Sequence, residues 1–342
     1  MPDHLIHLQA VQFEAARRLP LAPAERAETR LHGHGFRSVA GATTLPVDFA
    51  GRARAMDYQP LHEFLPDASD LGVLRHLAAD LPASACCALQ GAPGQGVRRA
   101  ADGRHYAWRM WQFESAHHLP NVPPGHKCGR LHGHGFRAVV HVPVLDPAAG
   151  WNAEQARLEA AWAPVHARIH QRYLNDLVGL DNPTSEWLAV WLWRALLPAL
   201  PDLAWVTVYE TASCGAHFDG AVHRIWKDFT IDSASLQDAV MSGHTWTLRL
   251  QLAGELHPVF GWAMDFAEVK HAFDPLFRAL DHQPLHAVDG LTTPDSAGIA
   301  HYIRRHADRV LPALGRVDVL DGCGGGVSLD WGCGGLQALP EA

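Results

Sequence analysis

The stretch FESAHHLPNVPPGHKCGRLHGHGF, residues 113–136, decides how the chain is interpreted. His132 and His134 stand two residues apart, so in a strand both imidazoles point to the same face. His117 lies in the alternating segment before them, which we expect to form the preceding strand. Three imidazoles with an open fourth position are typical of a catalytic zinc site, because structural zinc sites usually have four protein ligands. The stretch therefore predicts that His117, His132 and His134 bind Zn²⁺.

Cys128 lies four residues before His132 and directly follows Lys127. A nearby cation lowers the pKa of a thiol, and a metal dication does so strongly. We therefore expect Cys128 to have a lowered pKa and to act as a base or nucleophile rather than as a fourth ligand. In a chain with 24 histidines, an isolated His-Gly-His is more often a pair of surface residues. The complete set of three histidines and one cysteine is far more restrictive.

Composition excludes several classes of protein. The 342 residues are 48% hydrophobic, enough for two or three packed domains. A formal charge of −8 argues against a general nucleic-acid binder. We see neither a transmembrane-length apolar stretch nor a basic, apolar signal peptide, so we expect no membrane partner. The six cysteines lack the spacing of a disulfide framework, which favours a cytoplasmic protein.

Internal repetition predicts the domain organisation. Residues 13–39 align with 113–139 at an offset of 100 without gaps, with 15 identities in 27 positions. A third, weaker repeat follows, in which IDSAS (231–235) matches FESAH and SGHTW (242–246) matches HGHGF. We therefore divide the chain into copy one (1–100), copy two (101–227) and copy three (228–342).

Each copy is predicted to contain two strands, two helices and two strands. In copy two, alternation predicts strands at about 105–115 and 134–144, helices at about 153–174 and 184–197, and strands at 204–211 and 217–226. Asn182-Pro183-Thr184 is a helix-start signal. Copy one is about 20 residues shorter through its helical part, so we expect its first helix to be reduced.

These residues resemble the family of 6-pyruvoyltetrahydropterin and 6-carboxytetrahydropterin synthases, the pterin enzymes built from the ββααββ unit called the T-fold. The resemblance rests on F-E-S-A-H, H-K-C-x3-H-G-H, N-P-T-S-E and V-x-V-x-E-T in copy two, and on GWAMDF, LDHQPL and TPDS in copy three. It implies an α+β protein of three tandem T-fold units whose antiparallel sheets close a twelve-stranded barrel with helices outside. The C-x3-H-G-H spacing is more like the carboxytetrahydropterin branch, which serves queuosine and related deazapurines.

The resemblance also implies roles for residues in each copy. The family's zinc histidines fall on His117, His132 and His134, its catalytic cysteine on Cys128 and its pterin-binding glutamate on Glu210. We assign Thr184 and Lys127 to substrate binding as well, and Arg130 and Arg137 are further candidates for phosphate contacts. In copy one, the zinc positions hold Arg17, His32 and His34, with Glu28 at the cysteine position, so we expect it to be inactive. In copy three, they hold Ser235, Ser242 and His244.

The family's Asp-His pair survives only in copy three, as Asp281-His282. The matching residues of copy two are His170-Gln171, and copy one is expected to have no counterpart. Family active sites lie between neighbouring units. We therefore predict one working site per chain, with zinc, Cys128 and Glu210 from copy two and the Asp281-His282 pair from copy three.

The expected substrate is 7,8-dihydroneopterin triphosphate, and the expected reaction is a zinc-dependent 6-carboxy-5,6,7,8-tetrahydropterin synthase-like lyase reaction. Two alternatives stay open. One is 6-pyruvoyltetrahydropterin synthesis or another pterin side-chain cleavage, and the other is an inactive zinc- or pterin-binding scaffold. Family precedent also predicts a homodimer of three-unit barrels.

Overall fold

A computed structural model describes residues 3–44, 48–237 and 239–334. Its strands are β1 His4–Arg17, β2 His32–Ala42, β3 Cys86–Ala92, β4 Gln95–Arg99, β5 His105–His117, β6 His132–Pro143, β7 Arg172–Tyr173, β8 Trp205–Thr211, β9 Cys214–Phe218, β10 His223–Gln237, β11 Val240–Ala253, β12 Leu314–Leu320 and β13 Gly326–Asp330. Its α-helices are α1 Phe49–Met56, α2 Leu61–Phe64, α3 Asp70–Leu77, α4 Ala153–Ile169, α5 Ser185–Leu196, α6 Phe266–Leu280 and α7 Ser296–Val310.

Twelve of the strands close into one antiparallel barrel. The order is β4-β3-β2-β1-β13-β12-β11-β10-β9-β8-β6-β5, and β4 pairs with β5 to complete the ring. The short β7 adds a parallel pairing to the outer edge of β5. Closure removes the free sheet edges that each four-stranded unit would otherwise expose. The predicted α+β fold with a twelve-stranded barrel is thus confirmed.

The two faces of the sheet have different surroundings. In β6, Phe136, Ala138 and Val140 pack in the same apolar core as residues of α4 and α5. Val139, on the opposite face, clusters with strand residues such as Trp108 and Tyr209. This alternation places the helices outside the barrel and an aromatic cluster inside it.

The repeated units are recognisable in the pairing. In copies one and two, the first two strands pair with the same register, Phe13 with Phe36 and Phe113 with Phe136. The first helix of copy one is reduced to the 8 residues of α1, against 17 in α4, as expected. The division of the chain at 100/101 and 227/228 stays a prediction, and its second boundary falls within β10.

The strand predicted at 217–226 is wrong. β9 ends at Phe218 and β10 begins at His223, and the two strands form a hairpin. Asp219 makes this turn by accepting hydrogen bonds from the backbone N–H groups of Ala221 and Val222. Gly220 has a φ of 91°, the left-handed conformation that glycine adopts easily.

The short β8–β9 hairpin leaves a gap in the barrel wall, at the end of the barrel where β6 begins. β8 pairs with β6 only at residues 137–141, and β9 pairs with β10 only at residues 223–227. Residues 132–136 of β6 and 228–237 of β10 therefore extend beyond the hairpin on either side. The gap lies between copies two and three, and it contains the candidate site.

Candidate active site

The three predicted ligands meet where β5 ends and β6 begins. His117 is the direct cross-strand partner of His132, and His134 lies two residues further along the same face. One potential ligand atom from each residue lies within 4.8 Å of the other two. Among the described residues, this is the one group of three or more His, Cys, Asp or Glu side chains arranged to hold a metal.

Neighbouring carbonyl groups fix the orientation of two of these imidazoles. Nδ1 of His117 donates to the carbonyl oxygen of Pro183 (3.0 Å), and Nδ1 of His132 donates to that of Arg130 (2.7 Å). Such contacts leave Nε2 as the lone-pair nitrogen and are usual for metal-bound histidines.

The buried nitrogen atoms fit a metal. Nε2 of His117 and Nε2 of His134 are both buried, yet neither has a hydrogen-bond partner. Burial lowers the pKa of His117 to about 4 and also lowers the pKa of His134, so both rings are neutral at neutral pH. Neutral, unpartnered and convergent imidazoles are the donor set that a divalent transition metal prefers.

Copy one fills the same position with an ion pair. The Arg17 guanidinium is buried, lies 2.7 Å from Asp70 and donates to the carbonyl groups of Ala68 and Gly91. Glu28, at the cysteine position, accepts from Arg26 at 2.8 Å. The occupied metal position and the paired carboxylate support the expectation that copy one is inactive.

Copy three replaces the cluster with hydroxyl groups. Ser235 and Ser242 lie opposite each other, with their Oγ atoms 3.1 Å apart. Ser242 Oγ lies 2.8 Å from Nε2 of His244. This hydrogen-bonded chain satisfies the single imidazole without a metal.

A cleft of about 780 Å³ opens beside the histidine cluster. Copy two supplies one wall, and the first two turns of α6 in copy three supply the other. The lining residues are Lys127, Cys128, Arg130, Leu131, His132, His134, Glu210, Thr211, Ser213, Cys214, Lys227, Asp265, Phe266, Ala267 and Lys270. The cleft is thus shared between two copies.

Glu210 lies at the end of β8, next to the turn of the short hairpin. Oε2 accepts a hydrogen bond from Ser185 Oγ at 2.7 Å, and Oε1 lies 3.7 Å from Nε2 of His134. The carboxylate is therefore held in place while it still lines the cleft. A fixed carboxylate of this kind can accept two parallel N–H bonds from a planar heterocycle.

Cys128 also lines the cleft, and the protein's own groups do not lower its pKa; the predicted acidity therefore depends on a bound dication and stays a prediction. Burial raises its pKa, and the nearby carboxylates of Glu210 and Asp265 raise it further, while Lys127 opposes them. Lys127 is next to Cys128 in the sequence, whereas these two carboxylates are distant in the chain and approach the thiol only in the folded protein. A bound dication would act in the opposite direction.

The Asp281-His282 pair lies on the copy-three edge of the gap. Asp281 Oδ1 accepts from the backbone N–H of Asp232 in β10 (3.0 Å), and the N–H of His282 donates to the carbonyl oxygen of Asp232 (2.7 Å). These backbone groups face away from β11, toward the gap. Nδ1 of His282 lies 2.9 Å from Asp281, whose carboxylate raises the pKa of the exposed imidazole.

The sheet order therefore places copy three, not copy one, beside Glu210 and the cleft.

The expectation that copy one has no counterpart of the Asp281-His282 position is wrong. Asp57 and Tyr58 make the same two backbone bonds to Glu14, at 2.9 and 2.6 Å, and Tyr58 shares the positive φ of His282. Copy one therefore makes the same pair of backbone hydrogen bonds, with tyrosine in place of histidine.

Two of the proposed contact residues lie outside the cleft lining. Thr184 is buried, caps α5 through the N–H of Trp187 and donates to the carbonyl oxygen of Gly261 at 2.8 Å. Arg137 stacks over the ring of Tyr209, 4.5 Å from its centroid. The structure thus gives both side chains other contacts, whereas Lys127 and Arg130 line the cleft.

Sequence reasoning missed the contribution of α6 to this cleft. Asp265, Phe266 and Lys270 belong to the matched segment around GWAMDF, but its position against copy two depends on the barrel order. It also missed Glu186, a fully buried carboxyl that accepts the N–H of Ala263 in copy three at 3.0 Å. Burial raises the pKa of Glu186 to about 7.

Comparison with known proteins agrees with this geometry. A barrel of tandem ββααββ units with one histidine cluster beside an inter-unit cleft is the architecture expected of a pterin synthase. The sequence model of the family described as 6-pyruvoyl tetrahydropterin synthase matches residues 106–221 and again residues 217–330. The chain belongs to this family.

Individual relatives match one unit at a time. A 6-carboxy-5,6,7,8-tetrahydropterin synthase from Synechocystis sp. is 36% identical over 118 residues, which is 32% of this chain and 90% of the relative. A dihydroneopterin monophosphate aldolase from Pyrococcus furiosus is 31% identical over 94 residues, 27% of this chain and 79% of the relative.

Two solved structures also align with a single unit. A 6-pyruvoyl tetrahydropterin synthase from Caenorhabditis elegans is 24% identical, covers 31% of this chain and 89% of its own, and has a TM-score of 0.29. A 6-pyruvoyltetrahydropterin synthase from Plasmodium vivax, with a mutated catalytic residue, is 15% identical, covers 33% and 96%, and has a TM-score of 0.26.

Proposed function

We propose that the chain is a zinc-dependent pterin side-chain lyase of the 6-carboxy-5,6,7,8-tetrahydropterin synthase type, with one composite active site per chain. The observation that carries the proposal is the convergence of His117, His132 and His134, with two buried unpartnered Nε2 atoms, on a cleft that Cys128 and Glu210 also line. The 36% identity to a named 6-carboxytetrahydropterin synthase supports this branch of the family.

The proposed chemistry follows from the residue types. Zinc bound by the three histidines supplies Lewis acidity that polarises oxygen atoms of the substrate side chain. Cys128 removes a side-chain proton, and Glu210 orients the pterin ring through its amino group and adjacent N–H. His282, held by Asp281 on the opposite edge of the gap, is the partner acid or base. Its raised pKa favours the protonated form that can donate.

The charges around the cleft support a phosphorylated substrate. Lys127, Arg130, Lys227 and Lys270 all line it, although the chain has a formal charge of −8. Lys227 donates to Ser213 Oγ at 2.8 Å, and within the described ranges none of the four forms an ion pair. Four cations around one opening complement the phosphates of 7,8-dihydroneopterin triphosphate.

Two other functions have specific support. The similarity to a dihydroneopterin monophosphate aldolase favours a related cleavage of a substrate with fewer phosphates. The family match itself leaves 6-pyruvoyltetrahydropterin synthesis as a further lyase reaction. A zinc- or pterin-binding scaffold is the non-enzymatic alternative, for which Cys128 would be dispensable.

The test measures zinc content and products together. Wild-type protein, Cys128→Ala and His282→Ala are incubated with 7,8-dihydroneopterin triphosphate, and with the monophosphate in parallel. We expect one zinc per chain in all three, 6-carboxytetrahydropterin with acetaldehyde from the wild type, and loss of turnover in both variants. Pyruvoylpterin would identify the second lyase reaction, and cleavage of the monophosphate alone the aldolase. Zinc without any pterin turnover would refute the enzymatic proposal.

Location and assembly are part of the same proposal. No helix in the described ranges is long and apolar enough to cross a membrane. All six cysteines are free, which fits a cytoplasmic enzyme.

We propose that two barrels stack through the end that carries the zinc site, where Leu31, Leu131, Val240 and Met241 are all more than half exposed. Sedimentation of wild type and Leu131→Glu tests this, and a monomeric wild type would refute it.

A further inference from the structure

His126 connects the loop that carries Cys128 to copy three. Its Nε2 lies 2.7 Å from Oδ2 of Asp265, and its Nδ1 accepts the backbone N–H of Cys128 at 3.2 Å. Because Nδ1 is the acceptor, the ring proton is on Nε2 and points to the carboxylate. One imidazole therefore contacts both the cysteine loop and the start of α6.

Asp265 is itself held firmly. It is the N-cap of α6, and its Oδ1 accepts the N–H of Ala267 at 2.7 Å while Oδ2 receives His126. The side chains of His126 and Asp265 are only 20% and 16% exposed, so their hydrogen bond is largely shielded from water. A fixed carboxylate in copy three thus determines where the imidazole lies.

The chain contains its own comparison for this pair. At the corresponding positions between copies one and two, Arg26 stands in place of His126 and Asn152, the N-cap of α4, in place of Asp265. Arg26 pairs with Glu28 at 2.8 Å and with Glu159 of α4 at 3.6 Å, and Asn152 accepts the backbone N–H of Asp70. The His-Asp pair therefore occurs at the interface that has the histidine cluster and not at this related one.

The pair also bridges the two walls of the cleft. Cys128 lines one wall, and Phe266, Ala267 and Lys270 in the first two turns of α6 line the other. A contact between His126 and Asp265 fixes the separation of these walls directly at the thiol. The other bonds between the segments, such as Asn121 Nδ2 to the carbonyl oxygen of Val259 (3.0 Å), join the copies without contacting the Cys128 backbone.

We propose that His126 and Asp265 are positioning residues that act through Cys128. They hold the cysteine loop of copy two against α6 of copy three, so the thiol is correctly placed only when the two copies are joined. The proposal rests on the proposed function for its effect on turnover. Its effect on the thiol itself can be measured without any substrate.

Two substitutions separate the two contacts of the imidazole, and a third is the control. His126→Asn keeps an oxygen near the Nδ1 position and loses the reach to Asp265. His126→Gln places an amide near the Nε2 position and loses the acceptor for Cys128. Asn121→Ala is the matched control, because it removes another bond between the same loop and the same segment of copy three. All are made in the full-length chain, with zinc content measured for each.

Two readouts are used. The first is kcat and KM for 7,8-dihydroneopterin triphosphate, measured separately, which a purely structural role of His126 would leave unchanged. The rate of iodoacetamide alkylation at Cys128 is followed by peptide mass spectrometry, which distinguishes it from the exposed Cys323. We expect both His126 variants to lose roughly 10- to 100-fold in kcat with little change in KM, since misplacement of a reacting group acts on the chemical step. Cys128, now half-buried, should alkylate several-fold faster, and Asn121→Ala should match wild type.

Each outcome decides the proposal. Wild-type kcat and alkylation in both His126 variants would overturn it. Wild-type behaviour of His126→Asn alone would overturn the role of copy three, because that variant cannot reach Asp265. If no pterin is turned over by wild-type protein but alkylation accelerates as expected, the proposed function fails and the positioning role stands.

Discussion

Replacement of His134 by alanine tests the metal site against a control within the same chain. His34 holds the corresponding position in copy one, opposite Ala15 where His134 lies opposite Ser115. Both rings contain buried unpartnered nitrogen atoms. His134 has two histidine neighbours that complete a ligand set, whereas His34 faces the Arg17 guanidinium. We expect His134→Ala to lose zinc and His34→Ala to retain one ion per chain.

The size of the effect follows from linkage. Loss of a residue that only orients a ligand costs 10- to 100-fold in metal affinity, so loss of a ligand should cost at least about 100-fold. At a free zinc concentration 100 times the wild-type Kd, bound zinc stabilises the folded state by about 2.7 kcal/mol. For the variant, the same concentration equals its Kd and contributes about 0.4 kcal/mol. The zinc-dependent stabilisation should therefore fall by about 2.3 kcal/mol.

The assay compares urea unfolding of wild type, His134→Ala and His34→Ala at fixed free zinc and after chelation. Zinc content of each protein is measured by elemental mass spectrometry after gel filtration. Retention of one zinc by His134→Ala would refute the assignment of ligands. Loss of zinc from His34→Ala would show that copy one, and not copy two, holds the ion.

Three further predictions concern buried Glu186, the ion pair of copy one and a lysine of the cleft. Glu186→Gln removes a carboxyl group whose pKa is raised by burial from 4.5 to about 7. Over this pH range the folded state retains a proton that the unfolded chain releases. The unfolding free energy of the wild type, measured by urea unfolding, should therefore fall by roughly 3 kcal/mol relative to the variant as pH rises from about 4.5 to 7. Equal pH slopes would contradict this. Arg17→Ala leaves Asp70 as an unpaired buried carboxylate and should lower the free energy of unfolding by about 3–5 kcal/mol. The control Arg26→Ala removes a partly exposed ion pair and should lower it by about 0–1 kcal/mol. Similar losses for the two variants would show that the buried pair is unimportant. Lys270→Met should raise KM for the triphosphate substrate about tenfold, the value of one charge-assisted hydrogen bond, and leave KM for unphosphorylated 7,8-dihydroneopterin unchanged; equal effects on both would argue against a phosphate contact.

Local patterns were sufficient to predict the repeated strand and helix unit and the histidine cluster, whereas the family resemblance predicted the closed barrel. The i, i+2 spacing of His132 and His134 places them on one face of any strand, and their pairing with His117 follows from a hairpin that two copies share. Repetition shows three such units, and the resemblance to the pterin synthase family implies that they close into one barrel, which leaves no free edge. The histidine cluster and the repeated unit could be inferred because they depend on contacts close in sequence or repeated within it.

Features that depend on distant residues were not predictable in the same way. The pKa of Cys128 is raised first by burial and then by Glu210 and Asp265, which lie far along the chain and approach only when the barrel closes. The β9–β10 turn was missed although Asp219-Gly220 is a hairpin signal, because its flanking strands together resemble one alternating segment. Arg137 was one candidate for a phosphate contact, and its register places it on the face that packs on Tyr209.

A second metal site can be restored in copy one if its loss came from Arg17 and Asp70 alone. His32 and His34 are already in register, and Nδ1 of His32 donates to the carbonyl oxygen of Arg30, as His132 does to Arg130. The Ala68 carbonyl that receives Arg17 matches the Pro183 carbonyl that orients His117.

The double substitution Arg17→His with Asp70→Ser therefore supplies the missing ligand. It also removes the carboxylate that loss of Arg17 would leave unpaired. Serine is the residue found at the matching position of α5. We expect two zinc ions per chain by elemental mass spectrometry, with turnover unchanged, because Glu28 stands where the second site would need a cysteine. Arg17→His alone is the control and should bind the second ion less well, since the buried Asp70 would pair with a protonated imidazole and disfavour the neutral ligand. A stoichiometry that stays at one in the double variant would show that the backbone of copy one, and not these two side chains, prevents metal binding.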